Sequence, residues 1–188
     1  MVMPAVLPRY TVDMLDELPD DPHVRYELID GFLLVTPAAG QIHSVLTTRL
    51  VVALAGHLPE TFAHVLPPGE VQVGKYHRLI PDILVTPSRF PLDAAWTSIT
   101  DWLLAIEIVS RSSAIYDREH KRWAYLALGV REYWVVDHRT RTVEVWHAGD
   151  AAAAIHRDTV TYRTPGGEYE VPVDIEVLFR DFPSFEDE

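Results

Sequence analysis

Apolar and polar positions along this chain fall into helical and strand-like periods that can be read segment by segment. From Gly40 to His57 the apolar residues Ile42, Val45, Leu46, Leu50, Val51 and Leu54 recur at spacings of three and four, the stripe of a helix. Thr11 opens a shorter helix through Val12, Leu15 and Leu18, which Pro19-Asp-Asp-Pro22 ends because proline cannot continue the hydrogen-bond ladder. Tyr26 to Ile29 and Phe32 to Val35 flank Asp30-Gly31, and an Asp-Gly pair supplies the positive φ of a tight turn, so a hairpin is predicted. Val71 to Val73 and Ile83 to Val85 read as strands. Trp102 to Val109 is a continuous apolar run with one interruption, Glu107, too short for an ordinary helix, and predicts a strand covered on both faces.

Tyr116 to Leu128 predicts a helix closed by Gly129. On it Trp123, Leu126 and Ala127 define the apolar side, Asp117 and Lys121 fall on its border, and Arg118 and Arg122 point toward solvent. Glu132 to Asp137 and Thr142 to Trp146 are two more strands joined by a polar turn, and small strands follow to about Phe179, separated by Gly166-Gly167 and prolines. The order of elements predicts an α/β or α+β fold, a sheet flanked by helices.

Composition narrows the function classes. The 188 residues suit one domain, and 48% apolar with 23% charged residues describes an ordinary globular chain. The absence of cysteine removes disulfides, thiolate zinc sites and thiol nucleophiles together. No apolar run reaches a membrane span, and Met1 to Pro8 lacks the features of a signal peptide, so a cytoplasmic location with no membrane partner is expected. A net charge of −12 repels polyanions overall. The charge is uneven, however: residues 168–188 are strongly acidic, while 111–141 carry an excess of arginine and lysine that includes Arg111, Arg118, Lys121 and Arg122.

Chemistry concentrates at a few positions. Glu107 interrupts an apolar strand, and burying a carboxylate costs several kcal/mol unless a cation or donors compensate; an arginine partner or a solvent-reaching strand end would equally explain it. Asp82 follows Pro81 at the start of another apolar strand, a position that turn chemistry alone also accounts for. Two strands each carrying an acid near an end can bring the carboxylates together. Paired carboxylates repel unless a hard cation sits between them, which points to Mg²⁺ or Mn²⁺. Lys121, one of two lysines beside Lys75, shares a helix face with Asp117 and Tyr125; the plain alternative is an ordinary Asp–Lys pair four residues apart. Glu27 lies in the first hairpin strand and His43 in the first turn of the long helix, where a capping or surface role is the alternative. Histidine zinc patterns, glycine-rich phosphate loops and a nucleophile-elbow serine are absent from the sequence, so hydride transfer, kinase-type and serine-hydrolase chemistry lack support.

In order along the chain, Glu27-Leu-Ile-Asp-Gly31, His43, Pro81-Asp82-Ile-Leu-Val85, Ala105-Ile-Glu107-Ile-Val-Ser110, the Asp117–Lys121–Tyr125 triplet and Gly129-Val-Arg-Glu-Tyr-Trp-Val-Val-Asp137 resemble the Uma2-type restriction endonuclease family of the PD-(D/E)XK nuclease superfamily. The resemblance covers roughly residues 10–180. It implies a restriction-endonuclease-like core over about 24–147, a mixed sheet flanked by helices, with an N-terminal hairpin and additional C-terminal strands over about 152–180. It further implies an Mg²⁺- or Mn²⁺-dependent endonuclease acting on nucleic acid, DNA first. Asp82 and Glu107 would be metal ligands, joined by the backbone carbonyl of Ile108, and Lys121 would be the catalytic lysine. Glu27 would hold a second metal or its water, and His43 or Tyr125 would contact phosphate.

One position departs from the superfamily pattern. Val109 occupies the strand slot two residues after Glu107 where the lysine is expected, and the Uma2-like pattern moves that lysine to the following helix, at Lys121. An inactive interaction module of the same fold, which Val109 favours, and a glycosidase-type acid pair stay open beside it. A homodimer is expected, with the apolar C-terminal strands as a candidate edge interface.

Overall fold

Asp30 and Gly31 take φ values of +50° and +81°, and this turn closes the hairpin of β1 (Val24–Ile29) and β2 (Phe32–Pro37) as the sequence predicts. The structure, a computed structural model, describes residues 9–110 and 113–182. The segment read for a leader, Arg111 and the terminal acids Glu186, Asp187 and Glu188 lie outside the described residues. The hairpin extends through β5 (His77–Leu79) and β4 (Val71–Val73) into an antiparallel sheet of order β2-β1-β5-β4. The helix opened by Thr11, α1, is shorter than expected, Val12–Asp16, and Val12 and Leu15 pack on Leu28 of β1.

A second, six-stranded sheet carries most of the core. Its strands are β3 (Ala63–Leu66), β6 (Ile83–Pro87), β7 (Trp102–Ile108), β8 (Val130–Asp137), β9 (Thr142–His147) and β10 (Ala154–His156), in the order β10-β9-β8-β7-β6-β3. All neighbours are antiparallel except β7 and β8, which run parallel. A parallel pair needs a crossover. Here it is a π-helical turn, Tyr116–Lys121, that continues directly into α3 (Arg122–Leu128), and Gly129 ends the helix at φ +103°.

Alternation along β6 and β7 feeds two cores. Ile83, Val85, Leu104 and Ile106 face α2 (Gln41–His57), whose Leu46, Leu50 and Leu54 are fully buried one turn apart, each contributing roughly 1.5–3 kcal/mol. Leu84, Ala105, Tyr133 and Val135 face Ala124 and Tyr125 of α3 on the other side. Every residue of β7 is buried, as expected of a strand covered on both faces.

Two expectations change. The apolar stripe read on the helix from Tyr116 points the wrong way: Trp123 is 62% exposed and Ala127 is exposed, while Asp117, Lys121, Ala124 and Tyr125 face inward. Residues in the wider π turn advance by a smaller angle than in an α-helix, so the stripe drawn on α-helical geometry drifts off the buried face. Arg118 is drawn into ion pairs with Asp137 and Glu144, and the Arg122 guanidinium sits 4.2 Å above the Trp146 ring, so neither simply points to solvent. The C-terminal strands β11 (Thr159–Arg163) and β12 (Glu170–Asp174) form a hairpin whose Val160, Tyr162, Val171 and Val173 pack into the α2-side core. Those side chains are committed inside the molecule. A last short helix, α4 (Ile175–Leu178), adds Ile175 and Leu178 to the same core.

Candidate active site

Register brings the first two acids together. Ile83 lies opposite Ile106 across the antiparallel β6–β7 pair, so the residue before Ile83 falls beside the residue after Ile106. Those residues are Asp82 and Glu107, 4% and 3% exposed. Glu27 arrives from β1 of the other sheet, and strand alternation puts Arg25 on the same side as Glu27. Asp117 and Lys121 come down from the π turn, and His43 from the first turn of α2. Together they line a cleft of about 430 Å³, to which the Pro37–Gly40 segment also contributes.

Lys121 sits at the centre of the acids. Its ammonium lies 2.7 Å from Glu27 Oε2, 3.2 Å from Glu107 Oε1 and 3.6 Å from Asp117 Oδ1. Glu27 is fixed further by the Ile80 amide, which donates to its Oε1 at 2.9 Å. Tyr125 donates its hydroxyl to Glu107 Oε1 at 2.9 Å and is fully buried, so its contact here is with the carboxylate. Asp82 is clamped separately: His43 Nε2 lies 2.7 Å from its Oδ2, Arg25 Nη1 donates to its Oδ1 at 2.9 Å, and the Ile108 amide donates to Oδ2 at 2.8 Å. Ile108 thus meets Asp82 through its N–H, and His43 meets the same carboxylate through Nε2.

The electrostatics split the acids into two kinds. Burial pushes the Asp82 carboxyl up, but His43, the Ile108 amide and Arg25 outweigh it and leave Asp82 below the usual carboxylate range. Burial also raises Glu107; Lys121 opposes this, while Asp82, Asp117 and Glu27 add to it, so Glu107 stays well above its ordinary value. Asp117 is raised by burial in the same way, against the pull of Lys121 and a Ser113 hydrogen bond. For Lys121 burial disfavours the charge, yet Glu107, Glu27 and Asp117 more than compensate, and its pKa is raised. The ammonium is therefore a fixed positive charge.

Four buried carboxylates face one buried ammonium and the half-exposed Arg25, and Asp117 Oδ1 is buried without a hydrogen-bond partner. Oxygen donors with surplus negative charge suit a hard divalent cation. Protein donors already engage Asp82 and Glu107, and no three His, Asp or Glu side chains among the described residues form a ready metal cage. Val109, in the strand slot of the expected lysine, is buried in the apolar cluster around Tyr125.

Three site residues went unassigned at the level of sequence. Arg25 was legible as the residue two before Glu27 on one strand. Asp117 was visible as a helix-face partner of Lys121 but not as a fourth acid. His138 lines the cleft because it follows β8, whose Val135 and Val136 run beside Glu107 and Ile108; burial, first of its influences, lowers its pKa.

A protein-family model described as "Uma2: Putative restriction endonuclease" matches residues 12–176. The chain belongs to the Uma2 family. Among solved structures, a putative nuclease belonging to DUF820 from Anabaena variabilis ATCC 29413 is similar with a TM-score of 0.74. The identity is 21%, over 90% of this chain and 97% of that one, so the likeness speaks for the fold alone. This Uma2 chain thus has the mixed α+β architecture of a nuclease-fold protein, as its sequence predicts. A search of the curated proteins finds no match. No helix among the described residues is long and apolar enough to cross a membrane.

Proposed function

We propose that this Uma2 protein is a divalent-cation-dependent endonuclease that hydrolyses phosphodiester bonds of nucleic acid, DNA in the first instance. The observation that carries the reading is the surplus of buried carboxylate at one cleft, with Glu107 held well above its ordinary pKa by burial and by three neighbouring acids. A protein retains such an arrangement at a cost of several kcal/mol per unpaired ion, which a bound cation removes. Asp82 and Glu107 would hold Mg²⁺ or Mn²⁺, a Lewis acid that polarises a phosphate oxygen and activates water.

The chain's own groups have separate tasks. Lys121, permanently charged, stabilises negative charge that grows on phosphoryl oxygens and does not serve as a base. Glu27 and Asp117 hold that ammonium in place from two sides. Tyr125 and the Ile108 amide orient Glu107 and Asp82 by donating to them. Arg25 pairs with Asp82 Oδ1 and His43 Nε2 contacts Asp82 Oδ2, and together they fix the direction of that carboxylate. Two strands of a duplex call for two sites, which favours a pair of chains; sedimentation on a duplex oligonucleotide reads that stoichiometry.

The test is cleavage of plasmid and single-stranded DNA in Mg²⁺ or Mn²⁺ by wild type, Asp82→Asn and Glu107→Gln, each shown to be folded by its thermal melt. Both substitutions are near-isosteric and are expected to abolish cleavage. Equal cleavage by Asp82→Asn would reject the site. A second reading, a catalytically silent module of the same fold, is favoured by Val109 in the lysine slot and by the self-neutralised state of Asp82. It predicts no heat of Mg²⁺ or Mn²⁺ binding by calorimetry.

A further inference from the structure

A cleft lined by four carboxylates repels a phosphodiester, so a positive side chain that reaches solvent there favours its approach beside any bound cation. Among the described residues the cleft is lined by two lysine or arginine side chains, Lys121 and Arg25. Lys121 is 6% exposed at its side chain and spends its ammonium on Glu27, Glu107 and Asp117. Arg25 is 31% exposed, while the Asp82 it touches is 4% exposed, so its guanidinium stands between the buried acid and solvent.

The geometry of that guanidinium is specific. Nη1 alone donates to protein, to Asp82 Oδ1 at 2.9 Å, and among the described residues neither Nε nor Nη2 has a partner. Nε–H and Nη2–H form one edge of the planar fork, and such an edge matches two oxygens of a phosphate with two parallel hydrogen bonds. Arg25 is carried on β1 two residues from Glu27, a position set by strand geometry rather than by a loop. Resting on the nuclease reading above, we propose that Arg25 is a substrate-binding residue. Its Nη1 stays on Asp82 while its Nε–Nη2 edge takes the non-bridging oxygens of a backbone phosphate at the cleft. The ligand recognised is a phosphodiester anion, without regard to base, and one planar group ties substrate position to the position of Asp82.

The test uses the whole chain as wild type, Arg25→Lys and Arg25→Met. The lysine variant keeps a charge beside Asp82 but lacks the fork, and it carries the test should the methionine variant fold poorly. Fluorescein-labelled duplex and single-stranded oligonucleotides are titrated by anisotropy with Ca²⁺, and cleavage with Mg²⁺ or Mn²⁺ is followed at steady state. The expected result is a loss of affinity and a rise in KM of about tenfold or more in both variants, the scale of one charge-assisted hydrogen bond. The change in kcat should be much smaller and the Tm of Arg25→Lys near that of wild type. An enzyme that cleaves, with unchanged KM and affinity in both variants, overturns the assignment of Arg25 and leaves the nuclease reading standing. A loss confined to kcat also overturns it, since Arg25 would then act only by holding Asp82. Wild-type binding without cleavage, weakened in both variants, supports the phosphate contact and counts against the nuclease reading. Neither binding nor cleavage by wild type overturns both.

Discussion

Asp82 and Glu107 titrate in opposite senses, and their pH signatures are therefore separable. Asp82 is held below its ordinary value, so the stability it contributes is present above the unfolded-state pKa and lost as pH falls through the native one. Glu107 is held above its ordinary value, so its contribution is full below the unfolded-state pKa and declines as pH rises through the native one. Glu107→Gln should flatten the fall in Tm on the alkaline side of the usual carboxylate range, and Asp82→Asn should remove part of the acid-side fall. Melts between about pH 4 and 9 bracket the ordinary carboxylate and histidine values and check both signs. Lys121 bears differently on the fold. Lys121→Met leaves Glu27, Glu107 and Asp117 buried without their shared cation and should cost about 3–5 kcal/mol in urea denaturation. Loss of cleavage in that variant would report unfolding as much as chemistry, which is why the near-isosteric acid variants are the cleaner test.

The crossover between β7 and β8 is the element on which the site depends. Its π turn is held by a doubly used carbonyl: Asp117 O accepts the Arg122 amide and also the Tyr133 hydroxyl at 2.9 Å. Tyr133→Phe should cost about 1 kcal/mol for the lost hydrogen bond, and by loosening the turn it should lower kcat more than that stability loss explains. Trp123→Gln, on the outer face, should stay within about 0.5 kcal/mol of wild type by the same melt, although sequence periodicity places Trp123 in the core. The difference shows what a sequence displays at this scale. Asp-Gly turns, the leucine stripe of α2, the apolar run of β7 and the lone Glu107 within it are local signals, and the structure has each of them. The inward face of α3 is not local, because a lysine can be buried only when Glu27 and Glu107, distant in sequence, arrive to neutralise it. The clamp of Arg25 and His43 on Asp82 was hidden for the same reason. The three-residue strands β4 and β5 are at the lower limit of any periodic signal: Val71 to Val73 alternates apolar and polar, and His77 to Leu79 does not.

For the whole molecule, a net charge of −12 sets the terms of any encounter with nucleic acid. Proteins that bind DNA through many lysines and arginines lose affinity steeply with salt, with a slope near −0.9 per phosphate neutralised. Among the described residues the accessible permanent cation of the cleft is Arg25, and the ammonium of Lys121 is already shared among acids. The plot of log affinity against log salt should therefore be shallow, with a slope no steeper than about −2 for one or two phosphates. Anisotropy titrations across a series of KCl concentrations give that slope directly, and a steep one would reveal a basic surface elsewhere on the chain.

The acids and their counter-charge are also ordered in time. Glu27 and Glu107 both precede Lys121, the ammonium they share, so a growing chain acquires two future interior anions before the cation that lets them be enclosed. Until the crossover has emerged, neither β1 nor β7 can bury its acid without paying the full loss of hydration, and both sheets are held open by the same unmet charge. Closure of the two sheets on one another then becomes a late event of high sequence separation. The ammonium that organises the cleft also acts as the latch of the fold.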